Sequence, residues 1–327
     1  MKKNIALVTG GYSGESVISY KTAVTIDTHL DKKQYNVFKI DINPRGWFYE
    51  LTDGRKLEVD KNDFSLQIDA RKVTFDAVFI AIHGTPGEDG KLQGYFDTLK
   101  IPYTSCDAAT SAITMNKRYT VAVAKMAGVA VANSVHLFRE VPLQAEEVAS
   151  RLSFPVFVKP NSGGSSIGMS KVNEAPLLEG AILKAFKEDN QVLVEEMVQG
   201  REFTVGVFKT KENVIVLPIT EVSTHKEFFD FEAKYEGASK EVTPAEINDH
   251  IANKIREAAT TIYNVFNCRG VVRIDFIYNE ESDRPYMLEI NTIPGQSEAS
   301  IVPQQVKVMG WSLNEFYSRL VEEVLKN

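Results

Sequence analysis

The run Val271-Val272-Arg273-Ile274-Asp275-Phe276-Ile277-Tyr278 is followed, after Asn279–Arg284, by Pro285-Tyr286-Met287-Leu288-Glu289-Ile290-Asn291. Both segments are rich in β-branched and aromatic residues, and the polar linker suits a turn, so the pair reads as an antiparallel hairpin. Side chains alternate faces along a strand. Arg273 and Asp275 therefore share one face, and Ile274, Phe276 and Tyr278 the other. In the second strand Glu289 and Asn291 lie opposite to Leu288 and Ile290. One register sets Asp275 against Glu289 and Arg273 against Asn291. Two carboxylates directly opposed cost a few tenths to ~1 kcal/mol unless a cation offsets them. Oxygen ligands from Asp, Glu and Asn suit Mg²⁺. Alternatively, Arg273 itself pairs with the acids on a solvated sheet face. The spacing leaves both readings open.

Outward from this hairpin, the chain divides by character. In the first hundred residues apolar runs (Ile5–Thr9, Val37–Ile40, Asp76–Ile82) alternate with helical patterns (Ser16–Leu30, Asp89–Leu99). That alternation implies a parallel, doubly wound sheet. Residues 47–74 are polar and weakly strand-like, more an insertion than a core element. Helical text around Ala108–Gly128 leads to strands joined by Gly/Ser turns (Phe154–Lys159, Gly168–Val172, Gln191–Glu195, Glu202–Phe208), with one helix near Ala175–Lys187. A helix from about Pro244 to Phe266 precedes the hairpin, and another begins at Ser312. The expected fold is thus α/β followed by antiparallel α+β, with boundaries at 1–107, 108–195 and 196–327.

Composition narrows the class of function. The 327 residues carry a formal net charge of -7, which argues against nucleic acid or an anionic membrane as partner. No apolar stretch approaches the ~20 residues of a membrane span. Cys106 and Cys268 stand far apart, which fits a reducing cytoplasm better than a disulfide framework or a zinc site.

Four loops join the hairpin as candidates for chemistry. Lys159-Pro160-Asn161-Ser162-Gly163-Gly164-Ser165-Ser166-Ile167-Gly168 follows an apolar strand, and its N–H groups could cradle phosphate, with the Lys159 ammonium in reach. It lacks the Gly-Lys-Ser/Thr of a P-loop, and a flexible hairpin turn would read the same way. Glu195-Glu196-Met197-Val198 leaves another strand, and Glu202 opens the next. Backbone at Glu196–Val198 could serve a nucleotide base and Glu202 its ribose, although a plain hairpin edge has the same composition. His83–Gly94 and Gly10–Glu15 leave strands of the N-terminal sheet at the ends where parallel sheets bind ligands. Gly10–Glu15 is not Gly-x-Gly-x-x-Gly, so a dinucleotide site has little support.

The order of these segments is more specific than any one of them. His83-Gly-x-x-Gly-Glu-Asp-Gly-x-x-Gln-Gly94, Ile101-Pro-Tyr-Thr104, Met115-Asn-Lys117, Val158-Lys-Pro160 with Gly164-Ser-Ser-x-Gly168, Glu202-Phe-Thr-Val205, Glu232-Ala-Lys-Tyr235, Arg273-x-Asp275 and Glu289-x-Asn-Thr-x-Pro-Gly295 together resemble the D-alanine–D-alanine ligase family from end to end. The resemblance implies a pre-ATP-grasp domain followed by a two-part ATP-grasp fold. It implies ligation of two D-alanines through a D-alanyl phosphate, giving D-alanyl-D-alanine, ADP and phosphate for peptidoglycan precursors. ATP is implied as co-substrate, with two Mg²⁺ ions for which Mn²⁺ substitutes, in a cytoplasmic homodimer. Carried over by position, Lys117, Lys159, Ser165 and Ser166 serve the phosphates. Glu195, Glu196, Met197, Val198, Glu202, Phe228 and Lys234 complete the nucleotide site. Asp275, Glu289 and Asn291 become the metal ligands, and Glu15, His83, Ser165, Tyr235, Arg273, Gly295 and Ser300 surround the amino acids. An acyl phosphate must be kept from water, and Ser223–Ser239, long, polar and rich in Phe, Lys, Glu and Tyr235, reads as a closing lid. Two departures stand out. Glu15 is followed by Ser16-Val17-Ile18-Ser19 where the family has a basic residue and Val-Ser-Leu, and Ser162-Gly163 replaces an Arg-Glu pair. A ligase using D-lactate or D-serine as acceptor would share every phosphate and metal residue.

Overall fold

The computed structural model describes residues 2–141, 145–163, 167–211, 213–224 and 239–326. Ser165, Ser166, Phe228, Lys234, Tyr235 and nearly all of the expected lid lie outside those residues.

The N-terminal sheet is built on the strand Lys3–Gly10, fully buried from Ile5 to Val8 and paired in parallel with Tyr35–Asn43 and Ala77–Ile80. Its centre is parallel as the alternation of strands and helices predicts. Beyond it the sheet becomes mixed, because Gly46–Glu50 and Lys56–Glu58 add on antiparallel. The stretch read as an insertion therefore extends the sheet and supplies core. Val59, Phe64 and Leu66 are buried, and Phe64 meets the Phe96 ring edge-on at 4.8 Å. Its strands are only three to five residues long, too short for a period-two pattern to stand out.

Two antiparallel sheets follow. One has the order Ser170–Val172, Val156–Pro160, Gln191–Glu196, Ser134–Phe138 and is backed by the helix Leu178–Ala185. The other runs Ser239–Val242, Thr220–Thr224, Arg201–Lys209, Val271–Asn279, Arg284–Asn291, with Val214–Val216 also paired to Arg201–Lys209. Helix Asp249–Val265, capped by the Asn248 side chain, buries Ile255, Ala259 and Ile262 against this sheet. The sequence reading starts that helix near Pro244; the N-cap sets its beginning five residues later. Helices Ile301–Val308 and Leu313–Leu325 close the chain against the N-terminal sheet, with Tyr317 edge-on to Phe79 at 5.9 Å. One core thus joins the beginning and end of the chain. Among the described residues no helix is long and apolar enough to cross a membrane.

Candidate active site

A cavity of about 940 Å³ lies where the three sheets meet. Its lining includes Glu15, His83, Lys117, Lys159, Glu195 to Val198, Glu202, Arg273, Asp275, Glu289, Asn291, Gly295 and Ser300, so every candidate residue the structure describes borders one space.

The hairpin has the register that face alternation allows, Arg273 opposite Asn291 and Asp275 opposite Glu289. The pairing shifts just after Asp275, so that Phe276 faces Met287 and Leu288 is the extra residue. Asp275 is 7% exposed. Arg273 forks it through Nε and Nη2 at 2.9 Å each, Thr204 Oγ1 donates to Oδ1, and Asn291 Nδ2 stands 3.4 Å from Oδ2. Glu289 Oε1 is 3.9 Å from Arg273 Nη2. Arg273 therefore pairs with the acids, but on a face where Asp275 is buried and not solvated. The donor set on this face, two carboxylates and a carboxamide, still suits a hard cation completed by water and phosphate oxygens.

Across the cavity, Asn161 holds the strand Val156–Pro160 to the helix Lys117–Met126. Its carbonyl accepts from Lys117 N–H at 3.1 Å and its Oδ1 from Arg118 N–H at 2.9 Å. Lys117 Nζ donates to the Gly163 carbonyl, which sets this ammonium on the Gly/Ser loop. Ser162, one of the departures, gives its N–H to Asp189 Oδ2 at 2.6 Å. Lys159 and Glu195, on neighbouring strands, form an ion pair on the cavity wall. At the end of the strand Gln191–Glu196, Glu196 N–H donates to the Asn133 carbonyl and Met197 N–H to the Pro155 carbonyl, each at 2.9 Å. Those two donors are committed, so any N–H offered there to a base falls to Val198.

The third wall comes from the N-terminal loops. Gly84, at φ +69°, holds a conformation that favours glycine, and a Cβ there would stand 2.6 Å from Glu15 Oε2, so that carboxylate would have to shift. His83 is buried, and its Nε2 lies 3.0 Å from Thr22 Oγ1, which also accepts from Gln296 N–H at 3.2 Å. The ring's other bond, to the Ile293 backbone, favours the protonated form and is therefore one that the ring donates; with the proton on that nitrogen, Nε2 of the neutral imidazole accepts from the Thr22 hydroxyl. Burial, then the Arg273 charge, holds the imidazole down to about 4, so it is neutral at pH 7.

Glu88, quoted within its loop but not singled out by the sequence reading, is the counterpart. Its carboxyl accepts Gly84 N–H at 2.7 Å and bonds to the Ile293 backbone. Burial first, and the neighbouring Glu15 charge second, raise it to about 8. His83 and Glu88 thus clasp the Ile293 peptide two residues before Gly295. Ser300, N-cap position of helix Ile301–Val308, shares a 2.7 Å hydrogen bond with Ser297. Glu241, on the strand Ser239–Val242, also borders the cavity, and nothing in its sequence context marked it.

Family models described as D-ala D-ala ligase N-terminus and D-ala D-ala ligase C-terminus match residues 4–106 and 117–322. A Bacteroides fragilis protein named D-alanine--D-alanine ligase is 42% identical over 322 residues, 98% of this chain and 99% of that one. The solved VanG D-Ala:D-Ser ligase from Enterococcus faecalis superposes with a TM-score of 0.88 at 30% identity, covering 99% of this chain and 100% of its own. The D-alanine--D-alanine ligase from Bacillus anthracis, solved in complex with ATP, gives 0.79 at 25% identity, with 99% and 98% covered.

Proposed function

The chain belongs to the D-alanine–D-alanine ligase family, and from that premise we propose how its cavity joins two D-alanines at the expense of ATP. The observation that carries the reading is the convergence of Lys117 and Lys159 from one sheet region, Asp275, Glu289 and Asn291 from another, and Glu15 and His83 from the N-terminal loops on one cavity.

A D-alanine carboxylate attacking a triphosphate brings two anions together, so charge neutralisation governs the first step. Lys117, fixed on the phosphate loop, and Lys159 supply cationic groups on one side. Asp275, Glu289 and Asn291 would hold Mg²⁺, which when bound neutralises and aligns phosphate oxygens. Arg273 then has two tasks: it balances Asp275, and its guanidinium faces the cavity where an acyl oxygen gains charge. The Gly295 backbone is its partner there, held in place through the Ile293 clasp. Glu15 lies where an amino-acid ammonium is drawn. Neutral His83 adds no charge beside that ammonium. Ser165, Tyr235 and a lid over Ser223–Ser239 remain part of the proposal, as do division at 107 and 195, a cytoplasmic setting and a homodimer. D-alanine as acceptor is favoured by the 42% identical relative over the D-serine ligase at 30%.

The test is incubation with Mg-ATP and D-alanine, D-lactate or D-serine, alone and in pairs, with products read by mass. D-alanyl-D-alanine with stoichiometric ADP is expected; no ADP release with D-alanine would overturn the reading.

A further inference from the structure

We propose that Glu241 is the group that takes the proton from the ammonium of the acceptor amino acid; this deepens the ligase reading and rests on it.

An acceptor amino acid arrives as an ammonium and cannot attack an acyl carbon until one proton leaves. The site therefore needs a base beside the acceptor as well as cations beside the phosphates. The ligase reading already assigns two cavity carboxylates, Glu15 to a substrate ammonium and Glu202 to the ribose, and Glu196 accepts from Asn133 Nδ2 at 2.9 Å and Ser153 N–H at 2.7 Å. The other carboxylates around the cavity can be sorted by what already holds them. Asp275 is forked by Arg273 and bonded by Thr204. Glu221 is forked by Arg201 at 2.8 Å on both oxygens. Glu195 is paired with Lys159, and Glu289 belongs to the metal-binding face. Glu88 keeps its own proton at neutral pH and is committed to the Gly84 and Ile293 backbone. His83 has its one basic nitrogen occupied by Thr22.

Glu241 differs from all of these. It borders the cavity from a strand directly opposite Val222, and among the described residues a single side chain donates to it, Gln304 Nε2 at 3.3 Å. Gln304 sits one turn beyond Ser300, and its Nε2 also donates to the Ala299 carbonyl at 2.7 Å. The same bonds that shape the Ala299–Ser300 corner thus aim the carboxylate. Among the described residues the charge that acts on it is that of Arg273 from the hairpin; Glu221, which borders the same cavity from the adjacent strand, is neutralised by Arg201. Burial raises the Glu241 carboxyl and outweighs the lowering by Gln304 and Arg273, which makes it a better proton acceptor than an exposed carboxylate.

The step balances as follows. The ammonium gives one proton to the Glu241 carboxylate, leaving a free amine. Its lone pair forms the N–C bond to the acyl carbon of the D-alanyl phosphate. The C–O bond to phosphate breaks and its electron pair leaves with the phosphate. That phosphate takes the second nitrogen proton, and the Glu241 carboxylic acid returns its proton to solvent after product release.

Hydroxylamine tests this cleanly, because at pH 7.5 it is mostly a neutral nucleophile and needs no base. With Mg-ATP and D-alanine, Glu241→Gln should make D-alanyl hydroxamate within about two-fold of the unaltered enzyme. Its dipeptide formation should fall by roughly 10²-fold, the usual scale for losing a positioned base. The dipeptide rate of the variant should climb about ten-fold per pH unit above pH 7.5, as free amine becomes available from solution. Glu241→Asp, which keeps a carboxylate on a shorter arm, should recover part of the loss, and it serves if the Gln variant does not fold. Dipeptide formation within three-fold of normal in Glu241→Gln, or equal loss of hydroxamate and dipeptide in a folded variant, would overturn the assignment. So would an unchanged hydroxamate-to-dipeptide ratio in Glu241→Asp. An unaltered enzyme that makes neither product defeats the ligase reading itself.

Discussion

Asp275, buried, and Glu88, half-buried, are carboxyls on the same cavity, and the chain treats them in opposite ways. On the hairpin, Asp275 lies two residues from Arg273, and the strand period puts the guanidinium beside it, so that charge is met by charge. In the loop after Ala77–Ile80, Glu88 meets backbone donors, the like charge of Glu15 and a weaker pull from Arg273; desolvation and Glu15 prevail, and it retains its proton. Burial by itself does not decide ionisation here; the partner does. The first arrangement gives a fixed anion able to hold a cation, and the second a neutral clasp able to hold a peptide group.

The hairpin side of this contrast breaks most sharply at Glu289. Replacing Glu289 by Gln removes a charge while keeping shape, and ligase turnover should fall by roughly 10²–10³. The urea midpoint should hardly move, since the side chain is a third exposed. Near-normal turnover at limiting Mg²⁺ would remove Glu289 from the metal face. Arg273→Met asks what the pairing contributes to the fold. It leaves Asp275 buried without its cation, a situation that costs about 3–5 kcal/mol. Urea unfolding measures the loss, and adding Asp275→Asn should recover most of it. Additive losses would show that the two side chains do not act as a unit.

This half of the site was legible because it is local. Arg273, Asp275, Glu289 and Asn291 stand within nineteen residues, and face alternation alone aligns them. The bulge after Asp275 was not, because nothing in Met287-Leu288-Glu289 announces an extra residue. The clasp on Ile293 joins residues some two hundred positions apart, a distance over which no periodicity carries information. Glu88 could be suspected only as part of a glycine-rich loop at a strand end. Glu241 could not be suspected, since its environment is made by Gln304 and Arg273 from other elements. The short strands at 46–50 and 56–58 and the helix Ile301–Val308 were missed for lack of length, a helix of eight residues giving barely two turns of pattern.

The loop side sharpens through pH. The Glu88 carboxyl stands near 8 in the folded chain against an ordinary value of 4.5. Between those values the unfolded chain has released a proton that the folded chain keeps, so folding stability falls as pH rises. The slope from one such group is at most ~1.4 kcal/mol per pH unit. Below 4.5 both states are protonated, so the slope vanishes and none of this stability is lost. Glu88→Gln keeps a neutral group of the same shape and removes the slope. The variant should therefore gain on the unaltered protein as denaturant unfolding is repeated from pH 5 to pH 8. A constant difference across that range would mean that Glu88 is ionised and that the contrast with Asp275 fails.

The smallest effect is expected at Thr22, which joins the two sides. Its hydroxyl accepts from Gln296 N–H and donates to His83 Nε2, and His83 in turn holds the Ile293 backbone. Thr22→Val preserves shape and leaves a buried N–H and a buried imidazole nitrogen without partners. Leaving such groups unpaired costs about 1–3 kcal/mol, and the lower end is expected because Tyr317 still bonds Gln296 through its carbonyl at 3.3 Å. Catalysis should suffer less than the fold, because the Glu88 half of the clasp survives and Gly295 keeps its place. A loss of ~1–2 kcal/mol in urea with kcat/KM within ten-fold is the expected result. With Nε2 no longer receiving a hydrogen bond, the imidazole accepts a proton more readily, so His83 should titrate at a higher pH in the variant. A nitrogen-15 NMR titration reads that directly. An unshifted imidazole would mean that Thr22 does not donate to it, and the ring proton would then belong on Nε2 and not on the nitrogen facing Ile293.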